Sequence, residues 1–310
     1  MLIGDISRAE LRSRLRGAGV HLVTGAFTIH VRAELPHFVD EFAEMYADFT
    51  VEEPPGIDDA SVRVAAASGW RWRSGAQAMA WIANEPAFGP VPADLAYTVF
   101  ETALNWCVAL SDVAPMFLHA AVLERDGRAL ILPAPSASGK STLCAALAWR
   151  GWRLFSDEMA IFDFDSGDLR PNPRPVSLKN AAIDVVRAIE PRASVSRTYR
   201  GTPKGDVAYM RPPATAVTRA LETATPSLVV TPKYVAGAPT EIVRLQGREA
   251  FELLTANSVN YATMLRWGFD RIVGMVERCI VCRMTYSDLD AATVALDRLH
   301  REAMARSAPS

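Results

Sequence analysis

Residues 116–310 predict an α/β P-loop core, and residues 1–115 a smaller α/β unit in front of it. Three observations carry this reading. A Gly-Lys-Ser loop stands between an apolar strand-like run and a helix-like run over 129–150. Strand-like and helix-like patterns alternate on both sides of it. The chain has 310 residues, 50% apolar and 22% charged, which is enough for two sizeable cores.

The first unit opens with a strand pair over 21–33, bent at Gly25. A helix is expected over 35–48, because Phe38, Phe42, Met45 and Phe49 recur on one face. Alternating, aromatic-rich strands follow over 62–81, with turns at Ser68-Gly69 and Ser74-Gly75, then a helix over 93–110 stopped by Pro115. In the second unit, 119–124 and 128–132 read as a hairpin around Asp126-Gly127. The loop, a helix ended by Gly151 and a strand over 153–156 come next. A proline-rich run leads into a helix over 181–189, and 191–213 reads as an irregular loop rich in Arg and Lys. Strands over 227–235 and 241–245, helices over 248–254 and 261–277, a strand over 278–286 and a helix over 289–304 complete the chain.

Composition narrows the function. A net charge of -2 gives no overall pull toward nucleic acid or an anionic membrane, and neither is expected as a partner. The first sixteen residues carry charges every few positions and lack the apolar core of a signal peptide. The apolar stretch 103–123 is interrupted by Asp112, Pro115 and His119, so it does not read as a membrane span. A cytoplasmic location is expected. Of four cysteines, Cys279 and Cys282 have CxxC spacing. They lie in a strand pattern, where positions three apart face opposite sides, and no second Cys/His pair is near. Structural thiols are expected there.

The chemistry begins at Ala134-Pro-Ser-Ala-Ser-Gly-Lys-Ser141, in the register of GxxxxGK[ST]. Such a loop holds phosphate on backbone N–H groups at a helix start, where those donors have no partner within the helix. Ser136, Ala137, Ser138, Gly139, Lys140, Ser141 and Thr142 are the expected nucleotide-binding residues. Lys140 supplies charge to the β- and γ-phosphates, and Ser141 offers a hydroxyl to Mg2+. Ala134 replaces the first glycine of the motif, which is tolerable if its φ stays negative.

A phosphoryl transferase also needs a carboxylate opposite the loop. A helix over 140–150 is about 16 Å long. A right-handed crossover then returns a strand over 153–156 parallel to the one feeding the loop, which brings Asp157 and Glu158 to the phosphate edge. Successive strand residues face opposite ways, so one of the two faces the γ-phosphate. Strand geometry favours Asp157 as general base, with Glu158 supporting it or holding Mg2+. Asp163 and Asp165 are expected in solvent.

The order His119, hairpin, Gly-Lys-Ser loop and RGWRLFSDE (150–158) resembles the catalytic core of bacterial HPr kinase/phosphorylase. NWC (105–107), GKSTLCAAL (139–147), PRPVSLKN (173–180) and GTPKG (201–205) resemble the HPr-kinase-related kinases found near peptide-modification genes. The resemblance implies an HPr-kinase-type fold and use of ATP and Mg2+. It further implies transfer of phosphate to a hydroxyl, on Ser of a peptide or small protein, and assembly into a homo-oligomer. It places Ser141, Asp157 and Glu158 at the metal, gives Glu158 rather than Asp157 the base position, and puts His119 beside the site. The Glu-Ile-Arg-Gly-Leu-Gly-type segment of HPr kinase is missing, which counts against phosphorylase activity and against HPr as substrate. Arg174, Lys179 and Lys204 stand in its stead, as a solvated basic loop or as a charged clamp on ATP or acceptor. Two other readings compete: a small-molecule kinase of adenylylsulfate or sugar type, and a non-catalytic nucleotide switch in a peptide-modification complex.

Overall fold

The computed structural model describes residues 1–25, 27–52, 56–67, 76–110 and 116–306. Helix α1 (Arg8–Arg16) is capped by Ser7, whose hydroxyl accepts from the Glu10 N–H. The alternating residues that follow pair as antiparallel strands β1 (Val20–Val23) and β2 (Thr28–Ala33), with Val20 opposite Val31. Helix α2 (Pro36–Met45) starts on a proline, whose missing N–H costs nothing there. Its apolar face is buried as its spacing predicts, and Phe38, Phe42 and Tyr46 pack on Phe100. Strands β3 (Thr50–Val51), β4 (Ala60–Ala66), β5 (Gln77–Ile82) and β6 (Glu85–Pro92) extend a sheet ordered β3-β1-β2-β4-β5-β6. Helix α3 (Ala96–Leu110) crosses β4, β5 and β6. The turns expected at 68–69 and 74–75, and the stop at Pro115, fall outside the described residues.

The second unit begins with the hairpin of β7 (Met116–Arg125) and β8 (Arg128–Pro133). Asp126 and Gly127 both have positive φ, 54° and 73°, the combination a type I′ turn needs. Helix α4 (Lys140–Ala148) leads to β9 (Arg153–Ser156), β10 (Met159–Phe162) and β11 (Leu169–Arg170). Next come β12 (Val176–Lys179) and helix α5 (Ala181–Ile189). The stretch read as an irregular loop holds two strands, β13 (Tyr199–Thr202) and β14 (Gly205–Met210). They turn at Pro203-Lys204 and join β12 in a small sheet ordered β12-β14-β13. Tyr199, Val207 and Tyr209 from this hairpin pack into the core of the first unit, which supplies the apolar surface the strands need.

Short helix α6 (Ala214–Thr218) precedes β15 (Thr225–Tyr234) and β16 (Glu241–Leu245). Then follow α7 (Gly247–Ala256), α8 (Leu265–Arg278), β17 (Ile280–Tyr286) and α9 (Leu289–Arg306). The large sheet runs β11-β10-β7-β8-β15-β17-β16, with β9 also paired to β7. One face packs on α4 and α9, and the other on α7 and α8. Cys282 belongs to the first core and Cys279 to the second, so the CxxC spacing does not bring the two thiols together. Among the described residues, no helix is long and apolar enough to cross a membrane.

The return strand runs the way expected, parallel to the strand that feeds the loop. Strand β9 runs in the same direction as β8 but not beside it: it pairs antiparallel with β7, which lies between. The hairpin already occupies that edge of β8, so the crossover lands one strand further out. Strand β8 finds its parallel neighbour in β15.

Candidate active site

Strands β8, β15 and β17 are parallel, so their C-terminal ends meet on one edge, and the loop 134–139 springs from the first of them. Open α/β sheets bind ligands at such an edge. Ala137 and Gly139 both take left-handed conformations, φ 66° and 89°, and Gly139 caps α4. Left-handed residues in a turn aim successive N–H groups into one concavity, and the helix start adds its dipole. Ala134 is not among the residues with positive φ, which meets the condition for losing the first glycine. The loop is braced from behind. The Tyr286 hydroxyl donates to the Gly139 carbonyl at 3.0 Å, and the Tyr234 N–H donates to the Ser138 carbonyl at 2.8 Å. A Cβ on Gly139 would lie 2.5 Å from the Tyr286 oxygen and 2.9 Å from the Tyr234 Cβ.

A cavity of about 310 Å³ fills the space in front of the loop. Ser136, Ala137, Gly139, Lys140, Ser141 and Thr142 line one side, and His119, Glu158, Ser177, Lys179 and Lys204 the other. Ser138, expected among the nucleotide contacts, lines neither this cavity nor the larger one beside it. Its carbonyl is taken by Tyr234, and its hydroxyl accepts from the Lys140 N–H at 3.4 Å.

Asp157 and Glu158 occupy the break between β9 and β10, which follow one another along the same edge of β7. They are therefore held mid-edge rather than at a strand end. Strand pairing is kept through the break by the Ala120 N–H, which donates to the Glu158 carbonyl at 3.1 Å. Glu158 lines this cavity, and Asp157 does not. Asp157 points instead toward β12, where its Oδ2 accepts the Ser177 N–H at 2.9 Å. Strand geometry alone had favoured Asp157 at the phosphate. The break in the strand turns Glu158, and not Asp157, to the cavity side, where β10 re-enters the sheet.

The charges are unevenly balanced. Lys140 Nζ lies 3.1 Å from His119 Nε2, and His119 Nδ1 lies 3.8 Å from Glu158 Oε2. Burial and the neighbouring Lys140 charge lower the His119 pKa, so the ring stays neutral and accepts from the lysine. Burial works against ionised Glu158, yet the charges of Lys140, Lys179 and Lys204 hold its carboxyl below the usual range. Asp157 is pushed up to about 7, by burial first and by Glu158 second.

The three basic residues of the expected clamp separate. Lys179 ends β12 and Lys204 sits at the β13–β14 turn, and both line the cavity in front of the loop. Arg174 is not on a solvated loop. It is buried, with Nη1 3.5 Å from Glu101 Oε2 and Nη2 donating to Asn105 Oδ1. Asp163 is half-buried rather than in open solvent and caps its own turn by accepting from the Asp165 and Ser166 N–H groups, whereas Asp165 is exposed. In the RGWRLFSDE run, the arginines and tryptophan serve packing. Arg153 is buried on Glu124 at 2.6 Å, Arg150 pairs with Glu190 and Asp290, and Trp152 lies under Arg125.

Sequence reasoning missed a second cavity of about 810 Å³, continuous with the first along Ala137, Gly139 and Thr142. Val185, Ile189, Tyr234, Tyr286 and Leu289 give it apolar walls, and Asp288 and Asp290 a polar rim. The signal was available: the apolar residues of α5 repeat at helical spacing beyond what its short contact with α4 buries. Also missed was Glu101, a carboxylate in the otherwise apolar helix AYTVFETALNWCVAL, one turn before Asn105.

No known family model matches the chain, and no curated protein matches it. Among solved structures it is similar to the HPr(Ser) kinase/phosphatase from Coxiella burnetii, at 15% identity and a TM-score of 0.29. The match covers 61% of this chain and 97% of that one, and at that TM-score it decides nothing about the site.

Proposed function

We propose that the protein is an ATP- and Mg2+-dependent kinase that transfers the γ-phosphoryl group to a hydroxyl, with Ser of a peptide or small protein as acceptor. One observation carries the reading: a single cavity has a phosphate-binding loop on one wall and an ionised carboxylate, Glu158, on the opposite wall. Triphosphate lies on the N–H groups of 136–142, and the adjoining apolar cavity takes the nucleoside. The acceptor hydroxyl hydrogen-bonds to Glu158, which takes its proton as the new O–P bond forms and the β–γ bridging bond breaks. Lys140 follows the charge on the transferred group, with Lys179 and Lys204 beside it. Ser141 and Glu158 share the cavity wall, and such hard oxygen donors would fit Mg2+, which usually takes one or two carboxylates plus phosphate. When bound, the ion neutralises phosphate charge.

The choice of a peptide acceptor rests on the resemblance of 105–107, 139–158, 173–180 and 201–205 to peptide-modification kinases. The test is γ-labelled Mg-ATP with a panel of Ser-containing peptides and small hydroxyl compounds. Label on a peptide supports the acceptor class. Label on a small compound alone replaces it, and Mg-ATP binding with no release of label overturns the kinase reading.

A further inference from the structure

Arg174 is the cation whose surroundings differ most from a surface clamp. It is buried, and its Nε and Nη1 make no hydrogen bond within the protein. Its two contacts, Glu101 and Asn105, both come from α3 of the first unit. Glu101 is itself held there, because the buried Tyr46 hydroxyl donates to its Oε1 at 2.8 Å. Beside the guanidinium lies a space of about 20 Å³, bounded by Glu101, Asn105, Asp157 and Ser177 among others. That is room for one water, and these walls offer it several polar partners. Three residues beyond Arg174, the Ser177 N–H donates to Asp157 Oδ2.

We infer that Glu101 and Arg174 form a positioning pair that pins segment 173–177 to α3 and, through the Ser177 N–H and one bridging water, fixes Asp157 next to Glu158. A buried guanidinium keeps its place only while a buried carboxylate answers it. Here that carboxylate comes from the other unit. The break that carries both acids is thus held in shape by α3, and the docking of the first unit is a condition for an ordered acid pair. Neither residue touches the phosphate cavity, so the pair acts through Asp157 rather than on substrate.

The kinetic half of the test rests on the kinase reading, and the structural half does not. Full-length Arg174→Gln, Arg174→Lys and Glu101→Gln are compared with the wild type by hydrogen exchange and by γ-phosphate release from Mg-ATP. In Arg174→Gln, exchange over 173–180 and 153–160 is expected to rise about tenfold while 134–142 is unchanged, because local opening follows the lost anchor. kcat falls about tenfold or more while KM for ATP moves less than about threefold, since only the acid pair is displaced. Arg174→Lys recovers part of both effects, and Glu101→Gln reproduces them more weakly from the far side of the pair. Unchanged exchange over 153–160 in a folded Arg174→Gln protein overturns the inference, as does a parallel loss in kcat and KM. If Arg174→Gln does not fold, Glu101→Gln decides by the same segments. A wild type that binds Mg-ATP without turnover sinks the kinase reading alone, and the exchange result still decides the pair.

Discussion

The break between β9 and β10 borders two spaces of unequal size and lining. On the Glu158 side lies a cavity of about 310 Å³ faced by Lys140, Lys179 and Lys204. Asp157 borders instead a space of about 20 Å³ lined by Glu101 and Asn105 of α3 and by the buried Arg174, which Glu158 and Lys204 also reach. Two neighbouring carboxyls therefore meet different fates. Burial and the adjacent Glu158 charge push Asp157 up to about 7, whereas the lysines outweigh burial and keep Glu158 ionised. Separation of two titratable groups by environment is a common way to divide labour between them. Here position in the strand, rather than residue type, puts Glu158 on the cavity wall and Asp157 off it; the proposed division of acceptor and supporting roles rests on that.

The comparison breaks most readily at the loop. Lys140→Ala removes the cation that faces both the phosphates and Glu158, and transfer is expected to fall by about a thousandfold or more. Melting temperature stays within a few degrees, since one partly satisfied cation is lost. A Lys140→Ala protein with wild-type turnover would sink the assignment of the cavity.

Glu158→Gln keeps shape and removes charge. A kcat loss of about 10²–10⁴ is expected with nucleotide affinity nearly unchanged, as for a lost general base. Asp157→Asn costs less, and equal losses in the two variants erase the distinction drawn between them.

Gly139→Ala tests the backing of the loop. The left-handed φ of 89° and the crowding by Tyr286 and Tyr234 both oppose a Cβ. A stability loss of about 1–3 kcal/mol is expected, with weaker nucleotide binding. Chemical denaturation and nucleotide titration check both.

The smallest effect is on pH and stability in the absence of ligands. A carboxyl whose pKa is raised on folding keeps its proton while the unfolded chain loses it. Its contribution is therefore complete below the unfolded value, near 4, and lost as pH rises toward about 7. Asp157→Asn lacks this slope, so its stability relative to wild type is expected to rise between about pH 4 and about pH 7 and then level off. Thermal melts across that range check the sign. A relative loss with rising pH contradicts it.

What could be read in the sequence follows the range of the forces involved. The loop 134–142 is local: the Gly139 turn, the helix start and the entering strand lie within a few residues, and all are where the pattern puts them. The arrival of Asp157 and Glu158 at the same edge follows from the length of α4 and its return strand. Which of the two faces the phosphate depends on the register of β9 and β10 against β7, and neither strand's own residues reveal that. The segment 191–213 looks like a loop because its arginines and prolines hide short strands. Only Gly201 and Gly205 around Pro203-Lys204, with Tyr199 and Val207 flanking them, betray the hairpin. Arg174 looked solvated because its partner Glu101 lies far upstream in another unit.

The most direct measurement follows γ-labelled Mg-ATP with wild type and Glu158→Gln side by side, in the presence of the Ser-peptide panel. The expected result is label leaving ADP, to a peptide or slowly to water, in the wild type only, with both proteins binding nucleotide equally. Turnover by Glu158→Gln at the wild-type rate, or nucleotide held by the wild type with its γ-phosphate intact, would contradict it.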